Sequence, residues 1–208
     1  MAAIHLLKVS RLEGLSDGIF AIAMTIMVLN LHVPDHVHTE NILPVIKSDL
    51  SRNLFIYIGS FVILGTHWIA MNFQIGLLER LNRTYLWANM LYLMVICIIP
   101  FSANLLGEYP HSLDSIYFYT LNLLCSSICQ MIVLQCARYY QLNKSIYTPV
   151  IYYATLKRIM LAPVFYLAAL LVAKTSVFGA FILLVAPTFM YIFPGKIDRY
   201  ESHTITQD

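Results

Sequence analysis

A hydroxyl, a carboxylate and a glycine stand together at Ser16, Asp17 and Gly18, with a second hydroxyl at Thr25, inside an otherwise apolar stretch from Arg11 to Leu31. Hydrocarbon solvates none of these polar groups, so they must face protein partners or a water-filled path. Two kinds of chemistry follow. A fixed carboxylate can hold neighbouring helices or exchange a proton, and a row of hydroxyls between apolar side chains can line a constriction that opens by wetting.

Helical periodicity separates the two. At ~100° per residue, Leu15, Gly18, Ile26 and Leu29 fall within about 40° of Ile22, with Thr25 about 60° away, which makes one stripe. Asp17, Phe20 and Met24 lie roughly 140–160° round from it, so a path lined by the stripe does not include Asp17. By itself, such a row of Ile and Leu reads as a packing surface. Repeated by symmetry about an axis, it would stack rings of Ile22, Ile26 and Leu29 with Thr25 hydroxyls beside them. Asp17 also has two readings. Near the expected start of this helix it would meet free N–H groups and the positive dipole end, with Ser16 as a cap. Otherwise Arg11, Ser16 and Asp17, with Gly18, tie the helix to its neighbours. Arg11 and Asp17 are too far round one helix to pair, so His67, Asn89 and Asn104 are the candidate partners.

The elements that position these residues are membrane helices. Apolar residues make up 59% of the 208 and charged residues 12%, and mean hydropathy is +0.70. These values belong to an all-α membrane protein. Hydropathy predicts six transmembrane spans, about 14–32, 54–78, 85–106, 114–140, 156–173 and 177–194, within one domain covering 1–208. The first span is longer than a signal-peptide core and lacks a small-residue cleavage site, so it is expected to be retained. Lys8, Arg11, Arg80, Arg83, Arg138, Lys144, Lys157, Arg158, Lys196 and Arg199 fall on one side, against Lys47, Arg52 and Lys174 on the other. This bias predicts both termini in the cytoplasm of a multi-pass cell-membrane protein. The net charge of +2 is scattered, which gives no nucleic-acid partner.

Elsewhere the signals are weaker. Cys97, Cys125, Cys129 and Cys136 sit in apolar stretches and read as reduced packing residues. His32, His36 and His38 follow the first span and read as loop residues before a metal site. His67-Trp68 reads as a structural donor pair or a proton-sensitive network. Pro100 removes a backbone donor from the third span, with Ser102 or Asn104 as candidates to meet the freed groups, and Pro163 and Pro187 pose the same question in spans five and six. Tyr85, Trp87, Tyr139, Tyr140 and Tyr147 fall near span ends, where an interfacial belt belongs. No nucleophile–base pair or intramembrane-protease pattern is present and no span has regularly spaced arginines, so neither an enzyme nor a voltage sensor is expected. No cofactor or metal is implied.

The pattern Arg11, Ser16, Asp17, Gly18, Phe20, Ala21, Ile22, Ala23 and Thr25 resembles the first-helix signature of the bacterial members of the transmembrane-protein-175 family of potassium channels. Ser60-Phe61, Trp68, Asn89 and Ile99-Pro100-Phe101 extend the likeness into the next two helices. Leu15 departs from the family's usual Phe, and Met71 and Asn72 stand where the second helix often carries His. The resemblance implies a homotetramer in which helix one of each chain lines a central pore, Ile22, Ile26 and Leu29 form the constriction, and Thr25 supplies a polar layer. It further implies passive leak of potassium, with modest preference over sodium, through a lipid bilayer and without a cofactor. The alternative is a proton-coupled secondary cation transporter that uses Asp17.

Overall fold

The computed structural model describes residues 8–31 and 50–192, apart from the side chains of Asn30, Met190 and Ile192. Among these residues the chain forms six α-helices: α1 Val9–Ile26, α2 Ser51–Gly76, α3 Arg83–Glu108, α4 Leu113–Tyr139, α5 Pro149–Val172 and α6 Val177–Ile192. A 3-10 turn, Met27–Asn30, continues α1. Helices α3 and α4 form the most extensive pair; α1 packs on α2 and α3, and α5 and α6 pack on α4 and on each other. As numbering rises from Asp17 to Met24 on α1, their partners on α2 fall from Trp68 to Gly65, so these two helices are antiparallel.

Five of the six helices are long and apolar enough to cross a membrane; in the expected sixth span the apolar stretch is shorter, Val177–Phe189. Two helices begin earlier than hydropathy places them. Helix α1 starts at Val9 rather than 14, so Ser16 and Asp17 lie two turns inside it, and the capping role for Ser16 does not apply. Helix α5 starts at Pro149 rather than 156, with the Thr148 hydroxyl accepting from Ile151 N and proline in the first turn, where its missing N–H costs nothing. The expected span already contains Lys157 and Arg158; what it leaves out is the Tyr- and Thr-bearing stretch 149–155. Within the helix Arg158 lies 4.3 Å over the Tyr191 ring and donates to its carbonyl at 2.8 Å.

At one end of the bundle the 77–82 and 140–148 connections are stitched together. Leu78 bridges Asn143, Lys144 N donates to Leu77 O at 2.9 Å, and Arg80 donates to the Gln141 carbonyl at 3.2 Å. The expected aromatic belt is partly corrected: Trp87, Tyr139 and Tyr140 are exposed, but Tyr85 is 1% exposed and belongs to the core. The backbone around Pro100 is also served differently from the expectation. Ser102 bonds the Ile99 carbonyl and Asn104 turns to Glu108. Asn122 of α4, with its amide oriented to satisfy both atoms, donates to Val95 O at 3.2 Å and accepts from Ile99 N at 3.1 Å. A side chain from the neighbouring helix thus serves the rung just before the proline.

Helices α2 and α6 approach closely at Gly59. A Cβ built there would stand 2.8 Å from Phe181 Cζ and 3.1 Å from Val185 Cγ2. Phe181 is buried and has little room to retreat. Gly59→Ala is expected to destabilise the bundle by about 1–3 kcal/mol through overpacking, read as a lower thermal midpoint of the purified protein.

Candidate functional site

Helix α1 has two unlike faces. Leu12, Ser16, Phe20, Ala23 and Met27 recur every three or four residues and are buried against α2 and α3. On the other side, Ile22 is 59%, Ile26 45% and Leu29 68% exposed, and Leu15, Gly18 and Thr25 are exposed with them. No other described helix of the chain covers this face. A Cβ added at Gly18 would meet nothing within 4 Å, so no close contact within the chain requires glycine there.

The 3-10 turn adjusts the stripe. Side chains three apart eclipse in a 3-10 helix, so Leu29 comes over Ile26 instead of drifting backward as it would on a continued α-helix. The Thr25 hydroxyl shares its proton with two carbonyls of its own helix, Ala21 O and Ile22 O, both at 2.9 Å. What it turns outward is therefore oxygen lone pairs, the right sign for a cation.

The carboxylate faces the other way. Asp17 Oδ1 accepts from Trp68 Nε1 at 2.9 Å, which ties α1 to α2. The partner is Trp68, not His67, Asn89 or Asn104; 51 residues separate it from Asp17, and spacing along either helix does not name it. Phe20 packs near Tyr92, with ring centroids 6.3 Å apart, and Met24 reaches to within 3.9 Å of a Cβ built on Gly65. Arg11 is exposed. Ser16 Oγ and both amide atoms of Asn89 are buried and have no hydrogen-bond partner among the described residues.

His67 bridges three helices. Its Nδ1 lies 3.2 Å from the Tyr92 hydroxyl on α3, and its Nε2 lies 3.3 Å from Ser126 Oγ on α4. Neither partner was legible beforehand, because Tyr and Ser in apolar helices carry no signal of what they meet. Cys97, Cys125, Cys129 and Cys136 are free thiols. His32, His36 and His38 lie outside the described residues.

Residues 11–100 match the family model described as "Endosomal/lysosomal potassium channel TMEM175". The chain is 30% identical over 123 residues to a protein named a potassium channel in Chryseobacterium sp. strain P1-3, and 33% identical over 104 residues to another so named in Chamaesiphon minutus. Over residues 11–100 the chain is similar to the TMEM175 family. The alignments cover 59% and 49% of this chain, and 62% and 51% of those relatives. The fold is shared more widely: a crystal structure described as a lysosomal potassium-selective channel TMEM175 homolog from Chamaesiphon minutus superposes with a TM-score of 0.73. That superposition covers 88% of this chain and 95% of the other at 24% identity. The TMEM175 family is one of ion channels rather than enzymes. Its matched segment holds α1, α2 and the first part of α3, and therefore the whole exposed stripe and the Asp17–Trp68 tie. In this chain the buried residue Met71 offers no imidazole to the α1–α2–α3 core, where Ser16 and Asn89 have polar atoms without a partner among the described residues.

Proposed function

We propose that this chain is one quarter of a potassium-preferring leak channel, with four copies of α1 surrounding a central pore and the bundle of each chain acting as one channel domain. The observation that carries the reading is the uncovered α1 face. Ile22, Ile26 and Leu29, with Thr25 among them, stay exposed while the opposite face of the same helix is packed and tied. One chain with a single such helix encloses nothing; symmetric copies enclose a path. Rings of Ile and Leu at its narrowest part would empty of water, so an ion must shed part of its hydration there, and potassium sheds it at lower cost than sodium. The relatives named potassium channels support the same choice of ion. The cations Lys8, Arg80, Arg83, Arg138 and Lys144 favour placing the end that carries the 77–82 and 140–148 connections, and with it both termini, in the cytoplasm.

The test is flux from potassium-loaded liposomes under potassium, sodium and caesium gradients, with and without a proton gradient. Passive, potassium-favouring flux indifferent to protons is expected. Flux that runs only with a proton gradient would instead assign a transporter using Asp17. Thr25→Val removes the oxygen but keeps the shape, and is expected to lower the potassium-to-sodium ratio severalfold while flux persists; reversal potentials in a bilayer measure it.

A further inference from the structure

A second polar place lies away from α1. Between α2, α4, α5 and α6 is a small pocket with about 20 Å³ open to the centre of a water molecule, whose lining includes Ala70, His67, Gln130, Ala162, Thr188 and Tyr191. The hydrogen bonds around it can be followed proton by proton. Ser126 Oγ spends its proton on the Leu123 carbonyl at 2.7 Å, so towards His67 Nε2 it can only accept. His67 therefore carries its proton on Nε2, and the Tyr92 hydroxyl proton is shared between Nδ1 at 3.2 Å and the His67 carbonyl at 3.4 Å. Gln130 lines the same pocket as His67, and only its Oε1 could face an imidazole N–H. Swapping the amide would set donor against donor.

This assignment leaves Gln130 Nε2 without an acceptor. The residue is 3% exposed, and among the described residues nothing accepts from that nitrogen. A buried amide left in that state is destabilising, and native structures commonly meet such a group with bound water. The occupant must accept from an amide and donate onward to a hydroxyl. Water does both.

We propose that this pocket is a hydration site in which a bound water accepts from Gln130 Nε2 and donates to the hydroxyl of Thr188 or Tyr191, tying α4 to α6 inside each protomer. The site is separate from the α1 face and does not depend on the channel reading.

Filling the pocket tests it by sign. Ala162→Val places two methyl groups in the lining. In a wet pocket they displace the water, strand the Gln130 amide and lower the thermal midpoint of the purified full-length protein by about 2–4 °C, whereas filling a dry pocket raises the midpoint. The same substitution is then made with Gln130→Met, which needs no acceptor. The expected result is a fall in the first background that disappears or reverses in the second. A rise in the first background, or an equal fall in both, which is plain overpacking, overturns the proposal. Ala70→Val on the α2 wall asks the same question if the Ala162 variant does not fold.

Discussion

Ile22→Asn is expected to conduct faster than the parent and to discriminate less between potassium and sodium. Asparagine is smaller than isoleucine as well as polar, so Ile22→Val, which widens the proposed ring without adding polarity, is the control that separates polarity from bore. In the proposed pore, four isoleucine side chains facing one another would hold no water; four amides would, and a hydrated ring would remove the cost of stripping the ion. Each ~1.4 kcal/mol taken from the barrier is a tenfold gain in rate, so flux is expected to rise about tenfold while the ion ratio falls towards unity. Ile22 is 59% exposed and uncovered by the rest of the chain, so protomer stability is expected to change by no more than about 0.5 kcal/mol. Liposome flux and bilayer reversal potentials, with a thermal melt as control, measure all three. Unchanged rate and selectivity would move Ile22 from the path to a lipid-facing or packing role.

How much of this was legible in the sequence follows from which forces act locally. The partition of α1 was, because 3.6-residue periodicity depends on the chain alone: Asp17, Phe20 and Met24 go one way, towards Trp68, Tyr92 and Gly65, and the exposed stripe goes the other. The long apolar helices were legible for the same reason. The start of α5 was not, since its first turns mix Tyr and Thr with apolar residues and read as a connection, while the structure buries Ile151, Tyr152 and Thr155 there. The 3-10 turn that sets Leu29 over Ile26 has no composition marker in Met-Val-Leu-Asn.

Polar contacts between helices were the least legible part. Helix α4 buries Asn122, Ser126, Ser127 and Gln130, and each reads in sequence as a mild interruption of an apolar run. In the bundle, Asn122 bonds the α3 backbone beside Pro100, Ser126 bonds His67, and Gln130 lines the same pocket as His67. Small polar residues join membrane helices in this way because hydrocarbon offers no competing partner, but the choice of partner is set by packing, which spacing along one helix does not encode.

Asp17→Ala is expected to weaken assembly and lower flux per protein while leaving the ion ratio of the remaining flux unchanged. The reason is directional: Asp17 meets Trp68 on the packed side of α1, and Thr25 shares the exposed side with Ile22 and Ile26. A hydrogen bond to a carboxylate contributes about 1.5–3 kcal/mol, and the exposure of this one favours the lower end. Loss of the bond frees α1 to rotate or slide against α2, which disturbs every ring its exposed face would form. Trp68→Phe removes the indole N–H together with part of the ring and should lower the thermal midpoint by a similar few degrees or slightly more; beyond that packing loss the double variant should add little, because both remove one bond. Native-gel stoichiometry in lipid, thermal melts and reversal potentials read the three consequences separately. Intact assembly with a shifted ion ratio would place Asp17 in the permeation path, and additive losses in the double variant would show that the Asp17–Trp68 bond is not what holds α1.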